Sequence, residues 1–253
     1  MYVTPFDSVL QYPRVCAHRG FSAAMPENSM ASFGAAIALG AEEIELDIRL
    51  TSDGYLVSCH DPCLDRVSNG HGDLSDHTLA ELKALDFCAG HESYRGIRMP
   101  TFEEILQRLA GLVIMNLHVK IWEGDTPDEH MEELVALVRK YGCEGQVYFA
   151  ANSDRAARLL HEMEPEMRYC LIWNGREDAN ELVERAIACG ADKVQFDREH
   201  VDAAAVKKAH AHGIRCNLFY SDDAEDAKRY WDMGVDTILT NELLSIQPTK
   251  NAK

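Results

Sequence analysis

Short apolar runs rich in β-branched and aromatic residues alternate with longer amphipathic stretches along the whole chain. The apolar runs have the length and composition of strands, whereas the stretches between them repeat their apolar residues with helical spacing. The pattern predicts strands at 14–18, 42–50, 112–120, 146–151, 168–173, 193–197, 214–220 and 236–240. Several of the amphipathic stretches end in a glycine, which suits the left-handed residue that closes a helix: Gly40, Gly142, Gly190, Gly213 and Gly234.

Strands that alternate with helices at this spacing indicate a parallel sheet, because parallel neighbours need a crossover connection. Eight such units in one chain favour a closed barrel over an open, doubly wound sheet. No glycine-rich dinucleotide fingerprint follows the first strand, which weakens the open-sheet alternative further. The predicted fold is therefore an α/β (β/α)8 barrel, a TIM barrel, formed by a single domain over residues 1–253.

One segment breaks the alternation of strands and helices. A tight turn at 52–54 separates the second strand from a short β-like run at 55–60, and a turn this short joins only antiparallel strands. We therefore expect a β-hairpin beyond the C-terminal rim of the barrel. Pairing of the residues near 50 and 55 would return His60 opposite Glu45.

The segment after the hairpin, residues 61–100, has weak periodicity and many turn-forming residues. This composition predicts a small irregular insertion on the same rim, within the barrel domain. The polar tail at 248–253 is expected to be disordered. Residues 1–14 lack a basic start followed by an apolar stretch, so we expect no signal peptide there.

The chain is strongly acidic, with a formal net charge of −17 at pH 7. This charge argues against nucleic acid as a partner and against an anionic membrane surface, since both need surplus Lys and Arg. A small anionic substrate is compatible with it when a cation in the site reverses the local field. No apolar run approaches the length of a membrane span, so no integral membrane segment is expected.

The eight cysteines are an even number, but their positions do not suggest disulfides. No CxxC pair is present, which argues against a structural zinc site. Reduced cysteines indicate a cytoplasmic protein. Four of the eight lie inside apolar strand-like runs, as buried free thiols do: Cys16, Cys59, Cys170 and Cys216.

Polar residues concentrate where the first three predicted barrel strands end. Barrel enzymes carry their active sites at the carboxyl ends of the strands, so this concentration predicts a site there. Ionisable groups on the inward face of a barrel are unfavourable unless they are paired or bind a metal. The residues concerned are His18 and Arg19 after the first strand, Glu45 and Asp47 on one face of the second, His60 at the end of the hairpin, and His118 and Lys120 on one face of the third.

Each of these clusters has an ordinary explanation when it is taken alone. His18 and Arg19 fit a surface loop, and the acidic run at 42–47 fits a solvated strand edge. His118 and Lys120 fit strand ends that reach water. The coincidence of all the clusters at one rim, on consecutive strands, favours a functional site over three separate accidents.

Four segments resemble one known family. The first strand ends in AHRG (17–20) and is followed by PENS (26–29). The hairpin region reads ELDIRLTSDGYLVSCHD (45–61), and the last strand lies in GVDTILTN (234–241). In these motifs the chain resembles the glycerophosphodiester phosphodiesterases, and the resemblance extends over nearly the whole sequence. It implies a barrel enzyme that hydrolyses glycerophosphodiesters to glycerol 3-phosphate and an alcohol.

The resemblance also implies roles for the histidines and the basic residues. His18 and His60 would act as the general acid and base, because histidine titrates near neutral pH. The implied route passes through a cyclic phosphate, formed by the 2-hydroxyl of glycerol and then opened by water. Arg19 and Lys120 would hold the phosphate, Arg through its planar fork and Lys as a point charge.

The implied metal site departs from the family pattern at one position. Glu45 and Asp47 would bind one divalent cation, commonly Ca²⁺ or Mg²⁺ in this family. The family usually has Glu as a third ligand on the next strand, where this chain has His118. Imidazole is neutral and softer than carboxylate, so with His118 as the third ligand Mn²⁺ or Zn²⁺ becomes a candidate beside Mg²⁺ and Ca²⁺.

A second departure concerns the substrate pocket. The family tends to carry Trp on its penultimate strand, lining the glycerol pocket, and Phe219 stands there in this chain. Two alternative functions stay open: a lysophospholipase D-type activity on lipid-like diesters, and a catalytically silent barrel that binds phosphate-bearing ligands.

Overall fold

The computed structural model describes residues 10–122 and 130–251. Its strands are β1 (Arg14–Ala17), β2 (Glu43–Leu50), β3 (Leu56–Ser58), β4 (Ile114–Val119), β5 (Val147–Ala151), β6 (Arg168–Ile172), β7 (Lys193–Asp197), β8 (Arg215–Phe219) and β9 (Thr237–Thr240). Within these ranges eight parallel strands form a closed barrel, since β1 pairs with both β2 and β9. β3 pairs antiparallel with β2. The TIM barrel and the eight barrel strands predicted from the sequence are confirmed.

The helices connect the strands in the expected order. They are α1 (Met30–Ala38), α2 (Leu79–Ala84), α3 (Phe102–Leu109), α4 (Met131–Lys140), α5 (Asp154–Met163), α6 (Ala179–Cys189), α7 (Ala203–Ala211), α8 (Ala224–Met233) and α9 (Leu243–Ile246). Thr101 begins α3 because its side chain accepts the Glu104 N–H, while the Glu104 carboxylate accepts the N–H of Thr101. All five glycines expected to close helices have positive φ, as in Gly190 at the end of α6 with φ of 77°.

The outward faces of the barrel strands form the main apolar core with the helices. Ile44, Leu46 and Ile48 occupy alternate positions of β2 and are fully buried. They belong to one cluster with Phe33 of α1 and Phe102 of α3. The helices are therefore held on the barrel by the burial of these faces.

The inner face of the barrel is polar near the amino-terminal ends of the strands. Nη1 of Arg14 donates to Oε1 of Glu43 at 3.2 Å, and the Tyr148 hydroxyl donates to Oε2 at 2.7 Å. Nζ of Lys193 lies 3.7 Å from Oε1 of the same carboxylate. All four side chains are buried, so the interpretation of the acidic run at 42–47 as a solvated edge is wrong for Glu43.

The hairpin forms as expected, but its register is shifted by one residue. Leu50 pairs with Leu56, and the ladder continues to Ile48 and Ser58, so His60 does not lie opposite Glu45. The cause is the turn, which closes between Thr51 and Tyr55: the Thr51 N–H donates to the Tyr55 carbonyl at 3.0 Å. The Thr51 hydroxyl in turn accepts the Tyr55 N–H at 2.9 Å.

The insertion after the hairpin packs against β3 through a small apolar cluster. Leu64, Val67 and Leu82 of the insertion are buried together with Val57 of β3. The short helix α2, which the weak periodicity did not indicate, begins at Thr78 with a capping box. The division of the chain into one domain with an insertion at 61–100 stays a prediction.

The C-terminal tail is more ordered than expected. Residues 247–251 form a 3-10 helix, so the expectation of disorder is wrong for this part of the tail. The Trp231 indole N–H donates to the Thr249 hydroxyl at 2.9 Å, and Lys250 pairs with Glu42, which together hold the tail on the barrel. No helix in either described range has both the length and the apolar composition of a membrane span.

The cysteines are free thiols, as expected from their positions. Cys16, Cys59, Cys170 and Cys216 are all buried. The expectation for residues 1–14 falls mostly on residues 1–9, which lie outside the described ranges.

Candidate active site

The polar residues predicted to form a site surround one cavity at the C-terminal rim of the barrel. The cavity has a volume of about 260 Å³. Asp47 is fully buried beside it, on the same face of β2 as Glu45. The rim residues that line it are His18, Arg19, Glu45, His60, His118 and Lys120.

The end of β1 turns sharply to bring His18 and Arg19 into this cavity. Gly20 has φ of 80°, and a Cβ at this position would lie 2.5 Å from the Ser32 hydroxyl oxygen. Only glycine fits such a close approach at positive φ. The turn aims the Arg19 N–H at Oε2 of Glu45, to which it donates at 2.9 Å. The glycine of AHRG is therefore required by the fold of the site.

Two carboxylates and an imidazole converge beside the cavity. One ligand atom each from Glu45, Asp47 and His118 lies within 4.8 Å of the other two. Nδ1 of His118 is 3.8 Å from Oε1 of Glu45 and 3.5 Å from Oδ1 of Asp47. That Oδ1 is buried and accepts no hydrogen bond from the described residues. A buried carboxylate oxygen that accepts no hydrogen bond, with Nδ1 of His118 and Nζ of Lys120 each 3.5 Å away, can serve as a metal ligand.

The two carboxyl groups of this cluster have pKa values shifted in opposite directions. Burial and the neighbouring Asp47 raise the pKa of Glu45. Burial alone would also raise the pKa of Asp47, but Lys120, with Nζ 3.5 Å from Oδ1, and His118 outweigh it and lower that pKa. Asp47 is therefore ionised at neutral pH, and Glu45 takes up a proton first as the pH falls.

Hydrogen bonds fix the orientation of His18. Its Nδ1 lies 2.8 Å from Oδ1 of Asn241, whose amide group donates to Asp222 at 2.8 Å. The amide oxygen of Asn241 thus faces His18 and accepts the Nδ1 proton, which leaves Nε2 to face Glu45 at 3.9 Å. Burial, with the Arg19 charge, lowers the pKa of His18 to about 4.

His60 is held in the same way by a charged partner. Its Nδ1 lies 2.6 Å from Oδ1 of Asp61, so the carboxylate accepts the Nδ1 proton and leaves Nε2 for the cavity. Burial lowers the pKa of His60, while Asp47 and Asp61 act in the opposite direction. The His60 side chain is 33% exposed and that of His18 is 9% exposed, which puts His60 nearer to solvent.

The structure adds residues to the site that the sequence did not single out. The Asn28 amide donates to Oδ2 of Asp47 at 2.8 Å, and its oxygen accepts the Asp47 N–H at 3.1 Å. Glu27 accepts from Nη1 of Arg19 at 3.0 Å. These residues and Asn241 lie inside the PENS and GVDTILTN segments. The motifs therefore pointed to these positions, but the sequence did not show which residues they contact.

The wall across the cavity is largely apolar and aromatic. Phe219 lies edge-on to His18, with ring centroids 5.2 Å apart. Trp173, which directly follows β6, was missed in the sequence, and its ring stacks on His200 with centroids 4.3 Å apart. Its indole N–H donates to the Glu177 carbonyl at 2.7 Å, which holds the ring in the wall. Asp197 supplies a carboxylate there.

A second group with metal-ligating atoms lies at the amino-terminal ends of β8 and β9. It consists of His210, Cys216 and Asp236. Asp236 already accepts the Cys216 N–H at 2.8 Å, the Arg215 guanidinium at 2.9 Å and Nε2 of His210 at 2.7 Å. Because these donors occupy both carboxylate oxygens, the group links α7 to the starts of β8 and β9 by hydrogen bonds and needs no ion to do so.

Comparison with known protein sequences shows where the chain belongs. A sequence model of the Glycerophosphoryl diester phosphodiesterase family matches residues 18–244. A glycerophosphodiester phosphodiesterase of Caldanaerobacter subterraneus subsp. tengcongensis is 33% identical over 233 residues, which cover 90% of this chain and 93% of that protein. A glycerophosphodiester phosphodiesterase of Bacillus subtilis is 29% identical over 247 residues, covering 89% and 82%.

Solved structures share the fold along nearly the whole chain. A phosphodiesterase of Oleispira antarctica, determined in complex with the product sn-glycerol-3-phosphate, matches with a TM-score of 0.84 and 25% identity, over 96% of this chain and 98% of that chain. A glycerophosphodiester phosphodiesterase of Agrobacterium tumefaciens matches with a TM-score of 0.77 and 22% identity, over 92% and 98%. With the family match over residues 18–244, this chain belongs to the glycerophosphoryl diester phosphodiesterase family, the enzymes that hydrolyse glycerophosphodiesters.

Proposed function

We propose that this enzyme produces glycerol 3-phosphate and an alcohol in a metal-dependent reaction, with His18 and His60 as its acid and base. One observation carries the proposal: two buried carboxylates and an imidazole converge within 4.8 Å beside two histidines that line the same cavity. The relative from Oleispira antarctica that binds sn-glycerol-3-phosphate supports this choice of product.

Glu45, Asp47 and His118 would hold the divalent cation. When bound, it would polarise the phosphoryl oxygens and offset the negative charge of the diester. Mg²⁺ or Ca²⁺ is expected from the family, and Mn²⁺ or Zn²⁺ from the imidazole of His118. Lys120 now donates to Nε2 of His118 at 3.2 Å. If Nδ1 served as the ligand, the imidazole proton would sit on Nε2, and Nε2 could no longer accept a hydrogen bond from Lys120.

The two histidines would divide the proton transfers according to their partners. His18 has a neutral partner, Asn241, and a pKa of about 4, so it is unprotonated at neutral pH and can accept the proton of the glycerol 2-hydroxyl. His60 has the carboxylate of Asp61 on Nδ1, which offsets part of the lowering of its pKa by burial, and the protonated ring would donate to the departing alcohol. The two roles would reverse when water opens the cyclic phosphate.

The remaining lining residues would bind the substrate. Arg19 reaches the cavity from the β1 turn and, with Lys120, would hold the phosphate. Phe219 would pack against the glycerol carbons from the opposite wall. The proposed partner is thus a small anionic diester, and the free cysteines support the further proposal of a cytoplasmic location.

Removal and return of the metal test the proposed function. Protein treated with a chelator and dialysed should release no glycerol 3-phosphate from glycerophosphoethanolamine, and an added divalent ion should restore the release. Product should be measured with a coupled glycerol 3-phosphate dehydrogenase assay. Unchanged turnover in the chelator-treated protein would show that the reaction needs no metal.

Metal binding should release protons at mildly acidic pH. The pKa of Glu45 is raised in the metal-free site, so a bound cation must displace its proton, and affinity should fall as the pH is lowered. Isothermal titration near pH 6, in two buffers with different ionisation enthalpies, measures the number of protons released. Equal apparent enthalpies in both buffers would argue against Glu45 as a ligand.

Asp47→Asn should weaken metal binding while the barrel stays folded. The amide is isosteric with the carboxylate but cannot supply its charge, and we expect a loss of affinity of about tenfold or more. Asp65→Asn is the matched control, because Asp65 pairs with His71 on the surface of the insertion. Titration with Mn²⁺ measures both variants, and equal affinities in the two would contradict the role of Asp47.

A further inference from the structure

Arg66 connects the two sides of the active site through four hydrogen bonds. Its Nε and Nη2 donate to the two carboxylate oxygens of Asp61 at 2.6 and 3.0 Å. Its Nη1 and Nη2 donate to the two carboxylate oxygens of Glu27 at 2.7 and 2.8 Å. One guanidinium therefore binds two carboxylates at once, each with two hydrogen bonds.

Each of these carboxylates holds one residue of the cavity. Oδ1 of Asp61 lies 2.6 Å from Nδ1 of His60, and Oε1 of Glu27 accepts from Nη1 of Arg19 at 3.0 Å. The contacts form one chain, in which Arg66 lies between the partner of His60 and the partner of Arg19. A displacement of Arg66 would therefore reach both cavity residues.

The charges along this chain require an arginine at its centre. Hydrogen bonds from Arg66 lower the pKa of Asp61. Burial alone would raise the pKa of Glu27, but the hydrogen bonds and charges of Arg66 and Arg19 together lower it. Without the guanidinium the two carboxylates would face each other and repel. Lysine would keep the charge but could not bind both carboxylates in a planar fork.

The backbone that carries Arg66 is firmly held although its side chain is 49% exposed. Leu64 and Val67, on either side, are buried in the apolar cluster of the insertion. The Leu64 N–H donates to the Gly72 carbonyl at 2.9 Å. The insertion thus holds the backbone of Arg66 in a fixed position at the rim. The ion pairs of Arg66 are partly exposed and add little to the free energy of unfolding.

We propose that Arg66 is a positioning residue, through which the insertion sets the orientation of His60 and the place of Arg19 at the same time. The inference rests on the proposed roles of these two residues in catalysis and phosphate binding. Without Arg66 the Asp61 carboxylate should no longer be fixed, so it should no longer hold His60 in one tautomer. Glu27 should also lose its second partner, so the position of Arg19 should be less well defined.

Arg66→Ala should therefore lower kcat and raise KM together. Misplacement of a catalytic group by about 1 Å can reduce turnover by roughly 100-fold, and we expect a kcat loss of about 10- to 100-fold. Arg66→Lys should recover part of this loss, because it keeps a cation between the carboxylates. Arg95→Ala is the matched control: Arg95 lies in the same insertion and is paired only with the exposed Glu92 in the described ion pairs.

The imidazole ¹⁵N spectrum of the full-length protein gives a readout that does not depend on activity. In the wild type His60 should show a single Nδ1–H tautomer, and Arg66→Ala should shift it to a mixture while His18 stays unchanged. Wild-type kinetics and an unchanged His60 signal in Arg66→Ala would overturn the inference, as would an equal loss in Arg95→Ala. A wild type that releases no glycerol 3-phosphate would refute the proposed function, whereas the ¹⁵N signal would still decide the role of Arg66.

Discussion

Replacement of either histidine of the cavity is expected to reduce kcat by about 10²- to 10⁴-fold, the usual contribution of general acid–base catalysis. His60→Ala leaves Asp61 in place but removes the ring that we propose as the proton donor for the departing alcohol. His18 is buried, so His18→Gln is the better variant there, because glutamine retains much of the side-chain volume and a polar group for Asn241. The measurement is kcat and KM with saturating metal.

The matched control for both variants is His71→Ala. His71 pairs with Asp65, and its side chain is 86% exposed, so its loss should leave kcat unchanged. Circular dichroism should show that all variants are folded. If either cavity variant retains near wild-type kcat with excess metal, the two-histidine mechanism is wrong.

His118→Glu should change which metal ions support activity. The wild type should be more active with Mn²⁺ than with Ca²⁺, because a neutral imidazole favours borderline ions over hard ones. A third carboxylate beside Glu45 and Asp47 should shift the preference towards Ca²⁺ or Mg²⁺. Since changes around a metal ligand commonly alter affinity by roughly 10- to 100-fold, we expect the ratio of Ca²⁺ to Mn²⁺ activity to rise by about tenfold or more.

The control for this variant is the same His-to-Glu substitution at a position far from the cavity. His212 follows α7 and is exposed, so His212→Glu alters the net charge in the same way without touching the site. Activity should be measured with each ion over a range of concentrations. Identical metal preferences in His118→Glu and the wild type would show that His118 is not a ligand and is only a strand-end residue.

The barrel was predictable from the sequence because each strand is a short apolar run that must be buried on its outward face. The alternation of residues such as Ile44, Leu46 and Ile48 with Glu43, Glu45 and Asp47 also showed that the acidic residues share one face. The alternation did not show that this face is buried from solvent. Glu43 is buried beside Arg14 of the neighbouring strand β1 and Lys193 of β7, both far from it in the sequence, and periodicity carries no information on such partners.

The rim residues that line the cavity were predictable from the sequence, but the hydrogen bonds that hold them in place were not. The rim residues could be identified because parallel strands end at one side of a barrel. The hairpin register depended on the two hydrogen bonds that join Thr51 and Tyr55 across the turn, and the counting argument missed it by one residue. His18 donates a hydrogen bond to Asn241, and Arg66 donates to Asp61 and Glu27. These contacts depend on how the chain folds, so they could be identified only from the structure.

An anomalous difference map from crystals containing Mn²⁺ and glycerol 3-phosphate tests the proposed metal and phosphate sites most directly. We expect one ion bound by Glu45, Asp47 and His118 at roughly 2.0–2.6 Å, with the phosphate at Arg19 and Lys120 and with the rings of His18 and His60 beside it. An ion bound instead by His210, Cys216 and Asp236, or a phosphate outside this cavity, would contradict this expectation.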